Sequence, residues 1–153
     1  MKNNPTNRES TALFAGTFDP YTVGHHRIVQ RALPLFARVV VAVGRNAGKQ
    51  SLLSVEERVQ AIGRLYAQDA RVEVVAYDGL TVDFAKSIGA DCLLRGVRSV
   101  KDFEYERELA DINRQISGIE TLLLISEPQY SAISSSLVRE LMHYGKDVSK
   151  MLP

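Results

Sequence analysis

The sequence predicts an α/β fold: a single domain built on a five-stranded parallel sheet with helices on both faces. Short apolar runs alternate five times with segments whose apolar residues recur at helical spacing, as at Ile28, Val29, Ala32 and Leu33. This alternation favours a parallel sheet covered by its own crossover helices. The run at 38–44 (RVVVAVG) is apolar almost throughout, as expected of a strand that is buried on both sides.

The elements of this Rossmann-like arrangement follow from periodicity and from start and stop signals. Ser54 and Glu57 form a capping box at a helix start, and Pro34 predicts the end of an earlier helix. Predicted strands lie at residues 10–14, 38–44, 72–77, 91–94 and 121–125. Predicted helices lie at 25–36, 54–68, 82–88 (stopped by Gly89), 102–116 and 133–145. Residues 1–10 are predicted to be a flexible tail, and residues 11–153 a single domain.

The composition excludes several classes of protein. Lys and Arg number 19 and Asp and Glu 18, and a net charge of +1 gives no sign of a nucleic-acid-binding surface. The longest apolar run, 39–43, is far too short to span a bilayer, and residues 1–10 contain no apolar signal segment. We therefore expect a cytoplasmic protein that binds neither nucleic acid nor membrane. The single Cys92 excludes an intrachain disulfide and is expected to be a small buried apolar residue.

The stretch 14–25 (FAGTFDPYTVGH) joins the first strand to the first helix through a loop that contains Gly16 and Pro20. Unpaired N–H groups and the positive end of the helix dipole make a helix start a ready phosphate site. A histidine at that start, His25, can donate a hydrogen bond to a phosphate oxygen. Neither a Walker A loop nor G-x-G-x-x-G is present, and Thr22-x-Gly24-His25 is instead similar to the phosphate-handling tetrad of the nucleotidyltransferase superfamily. A polar turn with a capping histidine is the alternative.

Polar side chains follow four of the five predicted strands. They are Thr17 and His25 after the first strand, Lys49 after the second, Arg95 and Arg98 after the fourth, and Ser134, Ser135 and Ser136 after the fifth. Because the carboxyl ends of parallel strands meet at one edge of the sheet, these side chains are expected to converge on a site for an anion such as phosphate. The alternatives are a simple helix cap for the serines and solvated surface charge for the lysine and arginines. His26 is expected to be a solvated helix residue.

Five motifs together resemble bacterial phosphopantetheine adenylyltransferases. They are Gly16-Thr17-Phe18-Asp19-Pro20, Thr22-Val23-Gly24-His25, Arg95-Gly96-Val97-Arg98, Asp102-Phe103-Glu104-Tyr105-Glu106 and Ile133-Ser134-Ser135-Ser136-Leu137-Val138-Arg139. The resemblance extends from about residue 12 to the end of the chain. It implies transfer of the adenylyl group of ATP, with Mg²⁺, to 4′-phosphopantetheine, which yields dephospho-coenzyme A and pyrophosphate. It also implies a homohexamer.

The resemblance assigns roles to residues motif by motif. His25, Lys49 and Arg98 would be catalytic, with His25 stabilising the pentacovalent transition state. Phosphopantetheine would be bound by Thr17, Lys49, Thr81 and Arg95. ATP would be bound by Thr17, Phe18, His25, Gly96, Val97, Arg98, Glu106, Tyr130, Ser131, Ala132, Ile133, Ser134, Ser135 and Ser136. Three residues depart from the family pattern: Ala15 replaces a proline, Tyr130 a frequent tryptophan and Thr81 a larger apolar residue.

The residues suit such a reaction. A phosphomonoester has a second pKa near ~6, so it is largely ionised at pH 7 and can attack without a general base. Catalysis then depends on positioning and on cations around the developing charge. The sequence shows no cluster with zinc-ligand spacing and no nucleophilic triad, so no metal-binding residue is predicted. Two other functions stay open: a cytidylyltransferase or different adenylyltransferase of the same superfamily, and a non-catalytic nucleotide sensor on this fold.

Overall fold

A computed structural model describes residues 9–45, 48 and 50–153. The strands are β1 (Thr11–Gly16), β2 (Arg38–Gly44), β3 (Val72–Tyr77), β4 (Cys92–Val97) and β5 (Glu120–Ile125). The helices are α1 (Val23–Ala32), α2 (Val55–Leu65), α3 (Thr81–Ser87), α4 (Val100–Ser117) and α5 (Ser135–His143), with a 3₁₀ turn at Pro128–Tyr130. Most of the predicted tail and Lys49 lie outside the described residues. No helix in the described ranges is long and apolar enough to cross a membrane.

The five strands form one parallel sheet in the order β3-β2-β1-β4-β5. The predicted sheet is therefore confirmed. The chain adds β2 and β3 on one side of β1 and then crosses back to add β4 and β5 on the other side, so β1 and β4 flank the point where the strand order reverses. These two strands pair only at Ala12–Cys92 and Leu13–Leu93, whereas β4 stays paired with β5 as far as Val97. The sheet thus opens between the carboxyl ends of β1 and β4, at the switch point where such folds bind ligands.

Apolar layers lie on both faces of the sheet. On one face α1 and α2 pack their apolar side chains, among them Val29 and Ile62, against alternate residues of the central strands. On the other face Val82 and Ala85 of α3 pack against Leu13 and neighbouring positions. Residues 39–43 of β2 are at most 1% exposed, which confirms that this strand is covered on both sides.

The helix boundaries follow the predicted capping signals. Ser54 Oγ accepts a hydrogen bond from the N–H of Glu57, and the Glu57 carboxylate accepts one from the N–H of Ser54, so the predicted capping box is confirmed. Helix α1 ends at Ala32 with Leu33 as its cap, just before Pro34. It begins at Val23, two residues earlier than predicted, because Thr22 provides the cap. Helix α2 ends at Leu65, three residues earlier than predicted.

The end of β4 corrects one prediction. Arg95, Gly96 and Val97 were expected in a loop, yet all three belong to the strand, opposite Leu123, Leu124 and Ile125 of β5. Pairing with the edge strand holds this polar segment extended, which its local composition does not indicate. A Cβ atom on Gly96 would lie 3.2 Å from Cγ1 of Ile28, so glycine allows α1 to approach the strand closely.

Candidate active site

A cleft of about 310 Å³ lies at the switch point between β1 and β4. Its walls come from the β1–α1 loop, the end of β4, the start of α4 and the start of α5. Among the residues singled out from the sequence, it is lined by Thr17, Phe18, His25, Arg95, Gly96, Arg98, Glu106, Ile133, Ser134, Ser135 and Ser136. These loops therefore converge on one edge of the sheet, as their order in the sequence predicted. Two further residues line the cleft: Asp102, which opens one of the quoted motifs but was assigned no role, and Ser126, which sequence reasoning did not single out.

Several nominated residues lie elsewhere. Val97 is 6% exposed and belongs to the buried core. Tyr130, Ser131 and Ala132, in and after the 3₁₀ turn, are not among the residues that line the cleft. The Ser131 hydroxyl donates to the carbonyl of Pro128.

His25 is held as a neutral hydrogen-bond donor. It is the third residue of α1, and its Nδ1 accepts a hydrogen bond of 2.9 Å from the N–H of Thr22. The ring proton of the neutral form is then on Nε2. Burial, followed by the charges of Arg98 and Arg95, lowers the pKa of His25 from 6.5 to about 3. The capping geometry that was the alternative to a phosphate role is present, and it selects the tautomer that can donate to an anion in the cleft.

Aromatic rings surround the His25 imidazole. The Phe18 ring lies edge-on to it with centroids 5.0 Å apart, and the Tyr21 ring stacks on it at 5.3 Å. Phe18 adopts a φ of +51° while only 4% exposed, so its surroundings hold it in a left-handed conformation that a phenylalanine rarely adopts. A Cβ on Gly16 would lie 3.0 Å from the Phe18 ring, which explains the glycine two residues earlier.

Each arginine of the cleft has a carboxylate partner. Arg95 Nε and Nη2 donate to Glu106 Oε2 and Oε1 at 2.8 and 2.7 Å, and its Nη1 donates to the carbonyl of Ala15. Burial opposes the charge, yet the hydrogen bonds and the charge of Glu106 outweigh it and raise the pKa of Arg95. Arg98 Nε donates to Asp102 Oδ2 at 3.1 Å. The cleft therefore holds two arginines whose side chains are oriented by carboxylates of the protein.

Two buried charged residues join the loops beneath the cleft. The Asp19 carboxylate accepts hydrogen bonds of 2.7 and 3.0 Å from the N–H groups of Leu52 and Leu53. The Arg58 guanidinium donates to the carbonyls of Thr17 and Leu53. Both charged residues are under 5% exposed. Sequence reasoning missed these contacts, although the place of Asp19 inside the 16–20 motif was a signal.

The three serines at the start of α5 have different partners. Ser134 Oγ accepts from the N–H of Leu137 and caps the helix, as the alternative for the serines predicted. Ser135 Oγ donates to the carbonyl of Pro20, and Ser136 Oγ accepts from Arg139 Nη2. Simple capping therefore accounts for one hydroxyl only, and the helix start itself faces the cleft, where N–H groups favour an anion.

A second cavity of about 170 Å³ adjoins the first and holds Thr81. Its walls are mainly apolar and include Leu80, Val82 and Leu109. Ala15, Arg95 and Glu106 line both cavities, so the arginine–glutamate pair stands at their junction. Within the described ranges, no group of three His, Cys, Asp or Glu side chains is placed to hold a metal ion.

Comparisons with known proteins agree with this fold and identify the family. The family model described as cytidylyltransferase-like matches residues 13–141, so the chain belongs to this class of nucleotidyltransferases. A solved structure of the lipopolysaccharide core biosynthesis protein from Thermoplasma volcanium superposes with a TM-score of 0.55 at 19% identity. The superposition covers 77% of this chain and 96% of that one, and the likeness is one of fold.

Curated relatives narrow the class. The phosphopantetheine adenylyltransferase of Phocaeicola vulgatus is 51% identical over 142 residues, which cover 93% of this chain and 94% of that protein. The enzyme of the same name from Porphyromonas gingivalis is 51% identical over 146 residues, or 95% of each chain. That of Flavobacterium johnsoniae is 42% identical over 142 residues, or 93% of each. Within the cytidylyltransferase-like class, the chain belongs to the phosphopantetheine adenylyltransferase family.

Proposed function

We propose that this protein transfers the adenylyl group of ATP to 4′-phosphopantetheine, forming dephospho-coenzyme A and pyrophosphate. The proposal rests on one observation: two cavities adjoin, and the positively charged Arg95 lies at the boundary between them. Arg95 lines both the polar cleft that contains His25 and the largely apolar cavity that contains Thr81. A reaction between a nucleotide and a phosphorylated acceptor with a long, partly apolar arm fits such an arrangement, because the acceptor phosphate has to meet the α-phosphate of ATP.

The polar cleft suits the triphosphate of ATP. Arg98 lies on one wall, and the start of α5, with Ser134, Ser135 and Ser136, lies on another. Guanidinium groups and helix N-termini are both favourable neighbours of phosphate. We assign the nucleotide to this cleft, with Thr17, Phe18, Gly96, Glu106 and Ile133 as further walls.

The smaller cavity suits the pantetheine arm. Its apolar walls can pack against a flexible chain, and Thr81 offers a hydroxyl that lies 2.8 Å from the Tyr77 hydroxyl. Arg95 would bind the acceptor phosphate at the mouth of this cavity. Lys49 and Thr17 stay proposed partners of the same phosphate, both by resemblance, and Thr17 also lines the adjoining cleft.

Transfer is proposed to proceed by direct in-line attack. An oxygen of the acceptor phosphate forms a bond to the α-phosphorus of ATP, and the bond from that phosphorus to the bridging oxygen of pyrophosphate breaks. His25 Nε2–H donates to a non-bridging oxygen as negative charge develops there, and Arg98 stabilises the departing pyrophosphate. Because the pKa of His25 is about 3, the imidazole is neutral at pH 7 and acts as a donor and not as a base.

Magnesium is proposed to arrive with ATP. Mg²⁺ commonly takes its ligands from substrate phosphates together with one or two carboxylates. The carboxylates of the cleft, Asp102 and Glu106, are hydrogen-bonded to Arg98 and Arg95. That donor set fits an ion carried by the triphosphate better than one held by the protein.

Mass spectrometry of the products tests the function. The purified protein is incubated with ATP, Mg²⁺ and 4′-phosphopantetheine, and dephospho-coenzyme A and pyrophosphate are expected in equal amounts. Parallel reactions with CTP, or with pantetheine lacking its phosphate, are expected to give no product. Preference for CTP would indicate a cytidylyltransferase, and binding of ATP without turnover would indicate a nucleotide sensor.

We also propose that the protein assembles as a homohexamer in the cytoplasm, where ATP is available. Exposed apolar side chains support self-association: Leu122 and Ile125 on the edge strand β5, and Ile112 and Ile116 on α4. An uncovered edge strand with apolar side chains favours association with another copy. Light scattering coupled to size-exclusion chromatography measures the mass directly, and a value other than six times 17.0 kDa would contradict the hexamer.

A further inference from the structure

Two tyrosine hydroxyls and one imidazole form a continuous chain of hydrogen bonds that leads away from the active site. The Tyr21 hydroxyl lies 2.8 Å from the Tyr66 hydroxyl, which lies 2.9 Å from Nδ1 of His26. Tyr66 is the C-terminal cap residue of α2, whereas the other two residues belong to the β1–α1 segment. His26 therefore differs from its prediction as a solvated residue: its ring is half-buried and lies 5.4 Å from that of Tyr66.

The inner end of this chain touches the proposed catalytic histidine. The Tyr21 ring stacks on the His25 imidazole at 5.3 Å with an angle of 28° between the planes. It also lies edge-on to Phe18, the second ring against His25. Tyr21 is 6% exposed, and a buried hydroxyl needs a hydrogen-bond partner inside the protein. The Tyr66 hydroxyl is that partner, and this hydrogen bond helps to keep the Tyr21 ring in place against the imidazole.

The protons of the chain can be assigned in one direction. Burial and the charge of Arg27 lower the pKa of His26, which is therefore neutral at pH 7. If its Nδ1 accepts, Tyr66 donates to His26 and Tyr21 donates to Tyr66, and every hydroxyl proton has an acceptor. If His26 Nδ1 donated to Tyr66 instead, Tyr66 would donate to Tyr21, and the Tyr21 hydroxyl proton would have no acceptor within this chain of hydrogen bonds. Burial raises the pKa of both tyrosines, that of Tyr66 to about 12, so both keep their protons.

We propose that, in the adenylyl transfer inferred above, Tyr66 and His26 are positioning residues that act on His25 through the ring of Tyr21. The chain ties the end of α2 to the start of α1 and fixes the plane against which the imidazole stacks. Its outer end opens on a surface depression also lined by Asp69 and Arg71, and none of the described residues that line this depression lines either cavity of the proposed active site. Neither residue touches a reacting atom, so their effect is expected on kcat and not on the KM of either substrate.

Tyr66→Phe is the central test because it removes one oxygen and keeps the ring. We expect kcat to fall about 10-fold, with both KM values changed less than about twofold, because a displaced catalytic group costs rate even when binding is intact. Tyr21→Phe should act in the same direction. The matched control is Tyr144→Phe, since Tyr144 is 69% exposed on α5's far end. A kcat for Tyr66→Phe equal to that of the control would overturn the proposal.

Two further measurements separate positioning from a general loss of stability. In a His25→Ala background, Tyr66→Phe is expected to cause no additional loss of kcat; an undiminished 10-fold loss would show that the effect bypasses His25. NMR of protein labelled with ¹⁵N-histidine should show shifted His25 ring signals in Tyr66→Phe and unshifted ones in Tyr144→Phe. Unchanged His25 signals in Tyr66→Phe would also overturn the proposal. This readout does not need turnover, so an inactive wild type would contradict the proposed function and leave the positioning test intact.

Discussion

Arg95 and Glu106 form a two-point ion pair at the boundary between the two cavities of the site. Both carboxylate oxygens accept from the guanidinium, at 2.7 and 2.8 Å, and the glutamate side chain is only 8% exposed. A third donor of Arg95 binds the carbonyl of Ala15. A guanidinium has five N–H donors, so two remain for an anion. The pair gives Glu106 a second role beside the nucleotide contact that the resemblance implied, since it orients the arginine proposed to bind the acceptor phosphate.

The first prediction concerns Arg95→Lys. Lysine keeps the charge beside Glu106 but lacks the planar fork, so the acceptor phosphate should lose affinity by roughly one to two decades while ATP loses much less. Isothermal titration calorimetry measures the dissociation constant of each ligand. Arg114→Lys is the matched control, because Arg114 pairs with Asp111 on the surface of α4, the helix that also carries Glu106. Equal losses for the two ligands would contradict the separate roles of the two cavities.

The second prediction concerns His25→Ala. Loss of the Nε2 donor should lower kcat by on the order of 10²–10³, since it removes one stabilising hydrogen bond from the transition state. Circular dichroism should show an unchanged secondary structure. His143→Ala, which removes an exposed histidine from α5, should leave kcat unchanged. Near-normal turnover in the His25 variant would mean that the imidazole does not contact the transferred group.

The third prediction is a pH dependence of stability. The pKa of His25 is about 3 in the folded state against 6.5 for an ordinary histidine, so the unfolded chain binds a proton that the folded protein excludes. The contribution of this group is fully present above pH 6.5 and is lost as the pH falls from 6.5 toward 3. Each excluded proton gives a slope of at most about 1.4 kcal/mol per pH unit.

Urea unfolding at pH 7, 6 and 5 measures this slope. His25→Ala should reduce the dependence of the free energy of unfolding on pH relative to wild type. His26, whose pKa is also lowered, contributes in the same direction and is present in both proteins. Parallel curves for the two proteins would show that the His25 imidazole titrates normally in the folded state.

The fourth prediction concerns Asp19→Asn. One oxygen that accepts from the N–H of Leu52 or Leu53 becomes an amide nitrogen, so a buried donor loses its partner. We expect a loss of about 1–3 kcal/mol in the free energy of unfolding, together with a higher KM for the acceptor because the loop after β2 is released. Asp111→Asn, an exposed substitution on α4, should change the free energy of unfolding by less than about 0.5 kcal/mol. Similar stabilities of the two variants would contradict this anchoring role.

The fifth prediction concerns the order of events. Direct attack by the acceptor phosphate leaves no adenylyl group on the protein, so ATP labelled at its α-phosphate should give no labelled protein when the acceptor is omitted. Initial rates with both substrates varied should give intersecting lines. Stable label on the protein, or parallel lines, would indicate a covalent intermediate and would make His25 or Lys49 the candidate nucleophile.

Much of this protein is determined by local patterns in its sequence. The alternation of apolar strands with helical segments predicted the parallel sheet, and the capping box at Ser54 located a helix start to the residue. The order of the loops predicted that His25, Arg98 and the serines of α5 would meet at one cleft. These predictions succeed because apolar periodicity and helix capping are local signals. The carboxyl ends of parallel strands also meet at one edge of the sheet whichever strands are neighbours.

Tertiary structure alone decided how the side chains of the site are held. Arg95 belongs to a strand because it pairs with Leu123. The β1–α1 loop is anchored because Asp19 binds the N–H groups of Leu52 and Leu53, which lie 33 and 34 positions further along the chain. The neutrality of His25 depends on burial beside two arginines, and the ring against it is anchored by Tyr66, 45 positions from Tyr21. Such contacts join residues with no local pattern in common. Only the folded chain brings them within hydrogen-bonding distance and removes the water that would otherwise compete for them.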